Sequence, residues 1–147
     1  MKKNIALVAG GYSGEFEVSV ASSQQIKEDI DREKYNVYLI ILTRQSWYYE
    51  REGVRTEVDK NDFSLCLDGK KVLFDAAYIT VHGTPGEDGL LQGYFDMLKI
   101  PYTTCSTTVS AITFDKSVCN TVVRSFGIVN VANNVITRKT APLSLEE

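Results

Sequence analysis

The sequence lacks the ligands of a structural metal site. Its 147 residues include one histidine, His82, and three widely spaced cysteines, Cys66, Cys105 and Cys119. With no Cys-x-x-Cys pair and no second histidine, it cannot assemble a zinc cluster from soft ligands, and we expect no metal ligands in this chain. The cysteines are interpreted as reduced thiols, buried or partly buried. A cysteine nucleophile would depend on His82 as its only imidazole base, which disfavours that mechanism.

An excess of positive charge and long apolar runs are also missing. The sequence carries 16 Lys and Arg against 19 Asp and Glu, a formal net charge of −3, so it has no basic field for nucleic acid. Its longest apolar stretch, Val37–Leu42, is far shorter than the ~20 residues of a membrane span. Residues Met1–Asn4 lead into a glycine turn, without a signal-peptide core. We therefore expect a cytoplasmic protein with no nucleic-acid or membrane partner.

Few prolines and glycines, three and ten, exclude a collagen-like or low-complexity chain, and the length suits one domain. Apolar, β-prone runs at Asn4–Ala9 and Tyr35–Leu42 predict strands buried in a parallel sheet. Between them, Ser13 or Gly14 is expected to cap a helix that runs to about Ile30. The inner stripe of this helix is predicted to contain Val18, Ala21, Ile26 and Ile30.

The segment from Ser46 to Phe74 differs from this pattern. It contains three short strand-like pieces, and Asp68-Gly69 between the last two is a hairpin turn signal. These pieces are Trp47–Tyr49, Ser64–Leu67 and Lys71–Phe74. The segment predicts an antiparallel excursion at the edge of the sheet.

The second half returns to alternating strands and helices. The predicted elements are a strand at Ala76–Val81, a helix carrying Leu90, Leu91, Tyr94, Phe95 and Leu98, a helical stretch from about Thr108 to Phe126 broken near Asp115 and stopped by Gly127, and a strand at Val131–Thr137. The fold class is therefore α/β, an open, mostly parallel, Rossmann-like sheet with flanking helices. We predict one domain over residues 1–137, followed by a linker or frayed tail at 138–147.

Two loops follow predicted parallel strands, at the sheet edge where such folds bind ligands. The first, Gly10–Glu17, does not have the G-x-G-x-x-G spacing, and Glu15 and Glu17 would repel a pyrophosphate at the helix N-terminus. A nicotinamide-dinucleotide site is thus disfavoured. The carboxylates suit a cation such as a substrate ammonium, with Glu15 the better candidate. The alternative is that both only stabilise the helix dipole, which Glu17 fits better.

The second loop, His82–Gly89, contains three glycines directly after a buried strand. Glycine there allows backbone conformations and close ligand approach that side chains would block. Glu87 and Asp88 are expected to cap and charge the next helix. His82, at the strand exit, is either a structural hydrogen-bonding residue or a functional one.

Three segments resemble signatures of the D-alanine–D-alanine ligases, in the same order as in that family. They are Gly10–Ser19, the run His82–Gly93 followed by Ile100–Thr103, and the shorter Ser110–Lys116. Two positions depart from the family pattern. Thr104 stands where glycine is usual, and Val129 stands where proline is common.

The resemblance implies an ATP-grasp enzyme that joins two D-alanines with ATP and magnesium for peptidoglycan precursors. In that family the first D-alanine becomes an acyl phosphate, which the amine of the second attacks. By resemblance, Glu15 is the catalytic residue that receives the ammonium of the first D-alanine, Val18 packs near its methyl group, and His82 lies beside it. Lys116 approaches the nucleotide phosphates. The family also implies a homodimer, for which the antiparallel excursion offers an edge.

The resemblance covers only the family's amino-terminal part. The groups that complete the ATP and metal sites are expected in a longer ligase, so this chain alone is predicted to be inactive. The open alternatives are a non-catalytic amino-acid-binding module, a dinucleotide-binding Rossmann domain and a structural or dimerisation domain.

Overall fold

The first strand of the chain is buried on both faces. In the computed structural model, which describes residues 1–133, Ala6, Leu7, Val8 and Ala9 are fully buried. A strand with apolar side chains on both sides is the expected centre of a parallel sheet covered on both faces.

The described elements follow one another in a mixed order of strands and helices. They are β1 (Lys3–Gly10), α1 (Phe16–Asp29), β2 (Tyr35–Leu42), β3 (Trp47–Arg51), β4 (Val54–Glu57), β5 (Leu65–Leu67), β6 (Lys70–Val72), β7 (Ala76–Ile79), α2 (Leu90–Leu98), α3 (Thr107–Phe114) and α4 (Lys116–Ser125). None of the described helices has the length and apolar character needed to cross a membrane.

The main sheet has five strands in the order β4-β3-β2-β1-β7. Strand β1 pairs in parallel with β2, from Lys3 opposite Tyr35 to Gly10 opposite Leu42, and also with β7. Strands β3 and β4 extend the sheet antiparallel beyond β2, and β5 and β6 form a separate hairpin. The predicted α/β fold, mostly parallel with an antiparallel excursion at one edge, is therefore confirmed.

Strand β4 was absent from the sequence prediction. It pairs with β3 across a two-residue turn, Glu52-Gly53, in which both residues have positive φ (54° and 79°). This is the conformation of a type I′ hairpin turn, whose right-handed twist suits the two flanking strands. The signal in the sequence was Gly53, because glycine adopts positive φ without steric strain.

Aromatic side chains dominate the larger of the two cores. Fully buried Phe63 and Phe95 stack edge-on with their ring centres 4.8 Å apart, and Trp47, Phe74 and Tyr94 pack around them. On the opposite face of the sheet, a smaller cluster of Leu7, Ala9 and Leu39 packs against Ile26 of α1 and its neighbours. The antiparallel segment thus supplies much of the larger core.

The predicted inner stripe of α1 was wrong in its first half. Val18 is 56% exposed and Ala21 is also exposed, whereas the fully buried residues of this helix are Ser19 and Ser23. The helix approaches the sheet through small serine side chains. Apolar spacing alone does not reveal such a close approach.

The helical stretch after α2 is broken at Asp115, as predicted, and Gly127 follows its end with a φ of +66°.

Cys66 and Cys105 are exposed, which corrects the expectation of buried thiols, and Cys119 is half-buried. Of the strand predicted at Val131–Thr137, residues 131–133 form no strand. Residues 134–137 and the predicted tail at 138–147 lie outside the described part of the chain.

Candidate functional site

The two glycine-rich loops meet at the carboxyl edge of the parallel strands. The backbone amide of Tyr12 donates to the carbonyl of Thr84 (2.9 Å), and the Ser13 hydroxyl donates to the carbonyl of His82 (2.8 Å). The Gly11 amide also donates to the carbonyl of Leu42, at the end of β2 (2.9 Å). Ligands of open α/β sheets bind at this edge, so the loops form the candidate site.

Glycine is required where the loops touch. Gly11 has a φ of +109°, and a Cβ atom built there would lie 2.6 Å from a methyl carbon of Val81. Gly83 has a φ of +68°, and its added Cβ would lie 2.9 Å from the Cβ of Ser13. A side chain at either position would combine backbone strain with a clash between the loops.

Ser19 of α1 forms hydrogen bonds that connect the start of the first loop to the end of β7, a role that the sequence reasoning missed. Its buried hydroxyl accepts from the amide of Gly10 (2.9 Å) and donates to the carbonyl of Thr80 (2.7 Å), which follows β7. One side chain of α1 thus links the ends of two neighbouring strands. A serine in the middle of a predicted helix was the available signal.

Glu15 lies where the first loop enters α1. It is the N-cap residue, and its amide donates to the Ser13 hydroxyl (3.2 Å), the same hydroxyl that donates to His82. The side chain is exposed, and no ion pair within residues 1–133 engages its carboxylate. The loop therefore presents an anionic group beside the second loop.

The second loop is closed by Glu87. Its carboxylate accepts from the amide of Gly83 (2.7 Å), while the carbonyl of Gly83 accepts from the amides of Gly86 and Glu87. The predicted capping role therefore belongs to Asp88, whose carboxylate accepts from the amide of Leu90 in the first turn of α2 (3.1 Å). His82 itself is half-buried at the exit from β7.

Thr104, the departure from the family's usual glycine, takes part in supporting this loop. The buried side chain of Gln92 donates to the hydroxyl of Thr104 (2.9 Å) and to the carbonyl of Gly86 (2.6 Å). The amide of Gln92 thereby connects the second loop to the segment that follows α2.

Lys116 lies on a cavity next to the second loop. It is exposed at the first position of α4 and lines a cavity of about 660 Å³. Gly86 and Glu87 of the second loop line the same cavity, whereas Glu15 and His82 do not. The structure therefore places Lys116 on the same cavity as part of the loop that begins with His82.

Val18 lies one turn into the first helix from the loop. Its 56% exposure leaves its side chain available for a ligand.

Among residues 1–133, no group of three or more histidine, cysteine, aspartate or glutamate side chains could hold a metal ion. The two loops thus present the Glu15 carboxylate and the His82 imidazole, and the cavity beyond the second loop presents the Lys116 ammonium group and the Glu87 carboxylate.

Comparison with known proteins gives a consistent result. Residues 4–105 match the family model described as the D-ala D-ala ligase N-terminus. The chain is 49% identical over 148 residues to the D-alanine–D-alanine ligase of Bacteroides fragilis (strain ATCC 25285), and that match covers 100% of this chain and 45% of the relative. The chain thus spans about half the length of this curated relative.

Solved structures share the fold. D-alanyl-alanine synthetase A from Vibrio cholerae superposes with a TM-score of 0.78 at 28% identity, covering 88% of this chain and 39% of that one. The D-alanine–D-alanine ligase from Bacillus anthracis complexed with ATP gives a TM-score of 0.72 at 25% identity, covering 99% and 43%.

Proposed function

Since the chain belongs to the family of D-alanine–D-alanine ligase amino-terminal domains, we propose that it is the amino-terminal part of an ATP-dependent ligase that joins two D-alanines. The observation that carries this proposal is the junction of the two signature loops at one sheet edge, with Glu15 exposed beside them. Within the ligase, we assign residues 1–137 to the substrate domain and 138–147 to the linker that follows it.

Glu15 receives the ammonium group of the first D-alanine. A carboxylate without an ion-pair partner in the described region is available for a ligand cation, and a charged hydrogen bond is stronger than a neutral one. The position at the N-terminus of α1 stabilises the carboxylate when the substrate is absent, because the helix dipole is positive there.

His82 and Val18 complete the pocket for the same substrate. The Ser13 hydroxyl donates to the carbonyl of His82 and accepts from the amide of Glu15. This hydroxyl therefore holds His82 and Glu15 next to each other at the carboxyl edge of the sheet. Val18 packs near the methyl group of the substrate. Its exposed side chain offers an apolar surface one turn from Glu15.

Lys116 fits an ATP phosphate, because it places an ammonium group on a cavity that the second loop also lines. When bound, ATP supplies the phosphoryl group that activates the carboxylate of the first D-alanine. Glu87, the carboxylate on that cavity, is already held by the Gly83 amide. Residues 1–133 offer no cluster for magnesium, and we place its ligands in the remainder of the ligase.

We further propose that the ligase is a cytoplasmic homodimer that works without nucleic-acid or membrane partners. Strand β4 lies at the open end of the main sheet, and Val54 on it is 67% exposed. An edge strand offers unpaired backbone groups to a second copy.

A direct assay tests the proposed reaction. The full-length protein that carries this chain is expected to convert ATP and D-alanine, with magnesium, into ADP, phosphate and D-alanyl-D-alanine. The 147-residue chain alone should form no dipeptide, because phosphoryl transfer needs the remaining cationic and metal-binding groups. Dipeptide formation by the short chain, or D-alanine binding without any turnover by the full-length protein, would contradict the proposal.

A further inference from the structure

Tyr12 is the largest side chain in the first loop, and it is fixed from outside the two signature loops. The side-chain N–H of Trp47, on β3, donates to the hydroxyl oxygen of Tyr12 at 2.9 Å. We infer that Trp47 and Tyr12 are positioning residues, and that their hydrogen bond sets the placement of Glu15 beside His82. This inference rests on the proposed ligase function and names residues outside the four assigned to substrate and nucleotide.

The first loop has few other side-chain anchors. Between Gly10 and Gly14, only Tyr12 carries a large side chain, since the remaining residues are glycine and serine. Arg44, in the turn after β2, donates to the carbonyl of Tyr12 (3.2 Å), and its guanidinium lies 5.2 Å from the centre of the Tyr12 ring. A glycine-rich segment has many accessible backbone conformations, so contacts to its one large side chain restrict them strongly.

Trp47 is itself held against the core that supports the second loop. Its ring meets Tyr94 edge-on at 5.4 Å and Phe63 at 6.3 Å, and Phe63 is fully buried. Tyr94 belongs to α2, the helix into which the second loop leads. Trp47 therefore contacts the first loop through its N–H and the helix of the second loop through its ring. A change at Trp47 alters the relation between the two loops.

Tyr94 offers a matched control for Tyr12. Both tyrosines contact Trp47, and the hydroxyl of each forms one hydrogen bond to a residue distant in the sequence. The Tyr94 hydroxyl donates to the carbonyl of Lys60 (2.8 Å). Burial, with the nearby carboxylates of Asp62 and Asp59, raises the pKa of Tyr94 to about 12, so its hydroxyl stays protonated at neutral pH. The Tyr94 hydroxyl contacts neither signature loop.

The test uses steady-state kinetics of the full-length ligase. Tyr12→Phe and Trp47→Phe each remove one side of the hydrogen bond, and each is expected to raise the KM for the first D-alanine about 2- to 10-fold with little change in kcat. Because both variants lose the same bond, the double variant should resemble either single variant. Tyr94→Phe should leave this KM at its wild-type value, even where it lowers the Tm.

The outcomes separate the two proposals. Wild-type protein that makes no dipeptide removes the proposed function and this inference with it. Active wild type in which Tyr12→Phe and Trp47→Phe lower the Tm but leave the KM unchanged overturns the inference alone. Equal KM increases in Tyr12→Phe and Tyr94→Phe would also overturn it, since they would reflect general loosening of the aromatic core. Trp47, the only tryptophan of the chain, adds a readout in the 147-residue protein: its emission should change in Tyr12→Phe.

Discussion

Single serine hydroxyl groups connect the backbone segments at the carboxyl edge of the sheet, where the first and second loops meet. The hydroxyl of Ser19 is bonded on one side to the Gly10 amide and on the other to the Thr80 carbonyl, while Ser13 bridges Glu15 and His82. Small side chains of this kind let helix α1 lie close to the sheet while satisfying backbone groups at the strand ends. At the scale of residues, the site depends on hydrogen bonds as much as on apolar packing.

Replacing Ser19 with alanine should destabilise the chain by about 1–3 kcal/mol, because the buried amide of Gly10 would lose its partner. Chemical denaturation of the 147-residue protein measures this loss. Ser23→Ala is the matched control: it removes an equally buried hydroxyl from the same helix, but one bonded only to the carbonyl of Val20 within that helix. Equal losses in the two variants would show that Ser19 has no special bridging role.

Helix α4 differs from the other described helices in its packing. None of its residues is fully buried, and Val118 and the adjacent Phe126 are exposed. Its start depends on Asp115, whose carboxylate accepts from the amides of Ser117 (2.9 Å) and Val118 (3.0 Å). At the scale of elements, this N-cap is the main local support for the helix that begins with Lys116.

Asp115→Ala should therefore speed amide hydrogen exchange within α4, corresponding to a local loss of about 1 kcal/mol, with little change in α1. Asp115→Asn keeps a capping oxygen and should exchange close to the wild-type rate. Exchange that is as fast in Asp115→Asn as in Asp115→Ala would show that capping is not what stabilises the helix.

At the scale of the whole molecule, the pattern of apolar residues and turn signals was enough to predict the parallel strands of the sheet. Asn4–Ala9 and Ala76–Val81 are short apolar runs that end at glycine-rich loops, and parallel strands end at one edge, so the meeting of the two loops was predictable. Strand β4 was not predictable from its own residues, because Val-Arg-Thr-Glu has no apolar alternation and forms a strand through pairing with β3; the available signal was the turn at Gly53.

The support of the candidate site was also beyond reach of the sequence. Trp47 and Tyr12 are 35 residues apart, and their hydrogen bond exists only because β3 folds back beside β2. The role of Glu15 came from charge and from motif resemblance, and those of Val18, His82 and Lys116 from the resemblance; all four stay predictions until the ligase is assayed.

The most direct measurement is the KM for the first D-alanine in the full-length ligase with Glu15→Gln, compared with Glu17→Gln. Both glutamates are exposed near the N-terminus of α1, so both changes remove one negative charge from the same helix end. Loss of a charged hydrogen bond should raise this KM roughly tenfold or more in Glu15→Gln, with a lower kcat, and leave Glu17→Gln near wild type. Wild-type kinetics in Glu15→Gln, or equal changes in both variants, would contradict the assignment of Glu15 as the ammonium ligand.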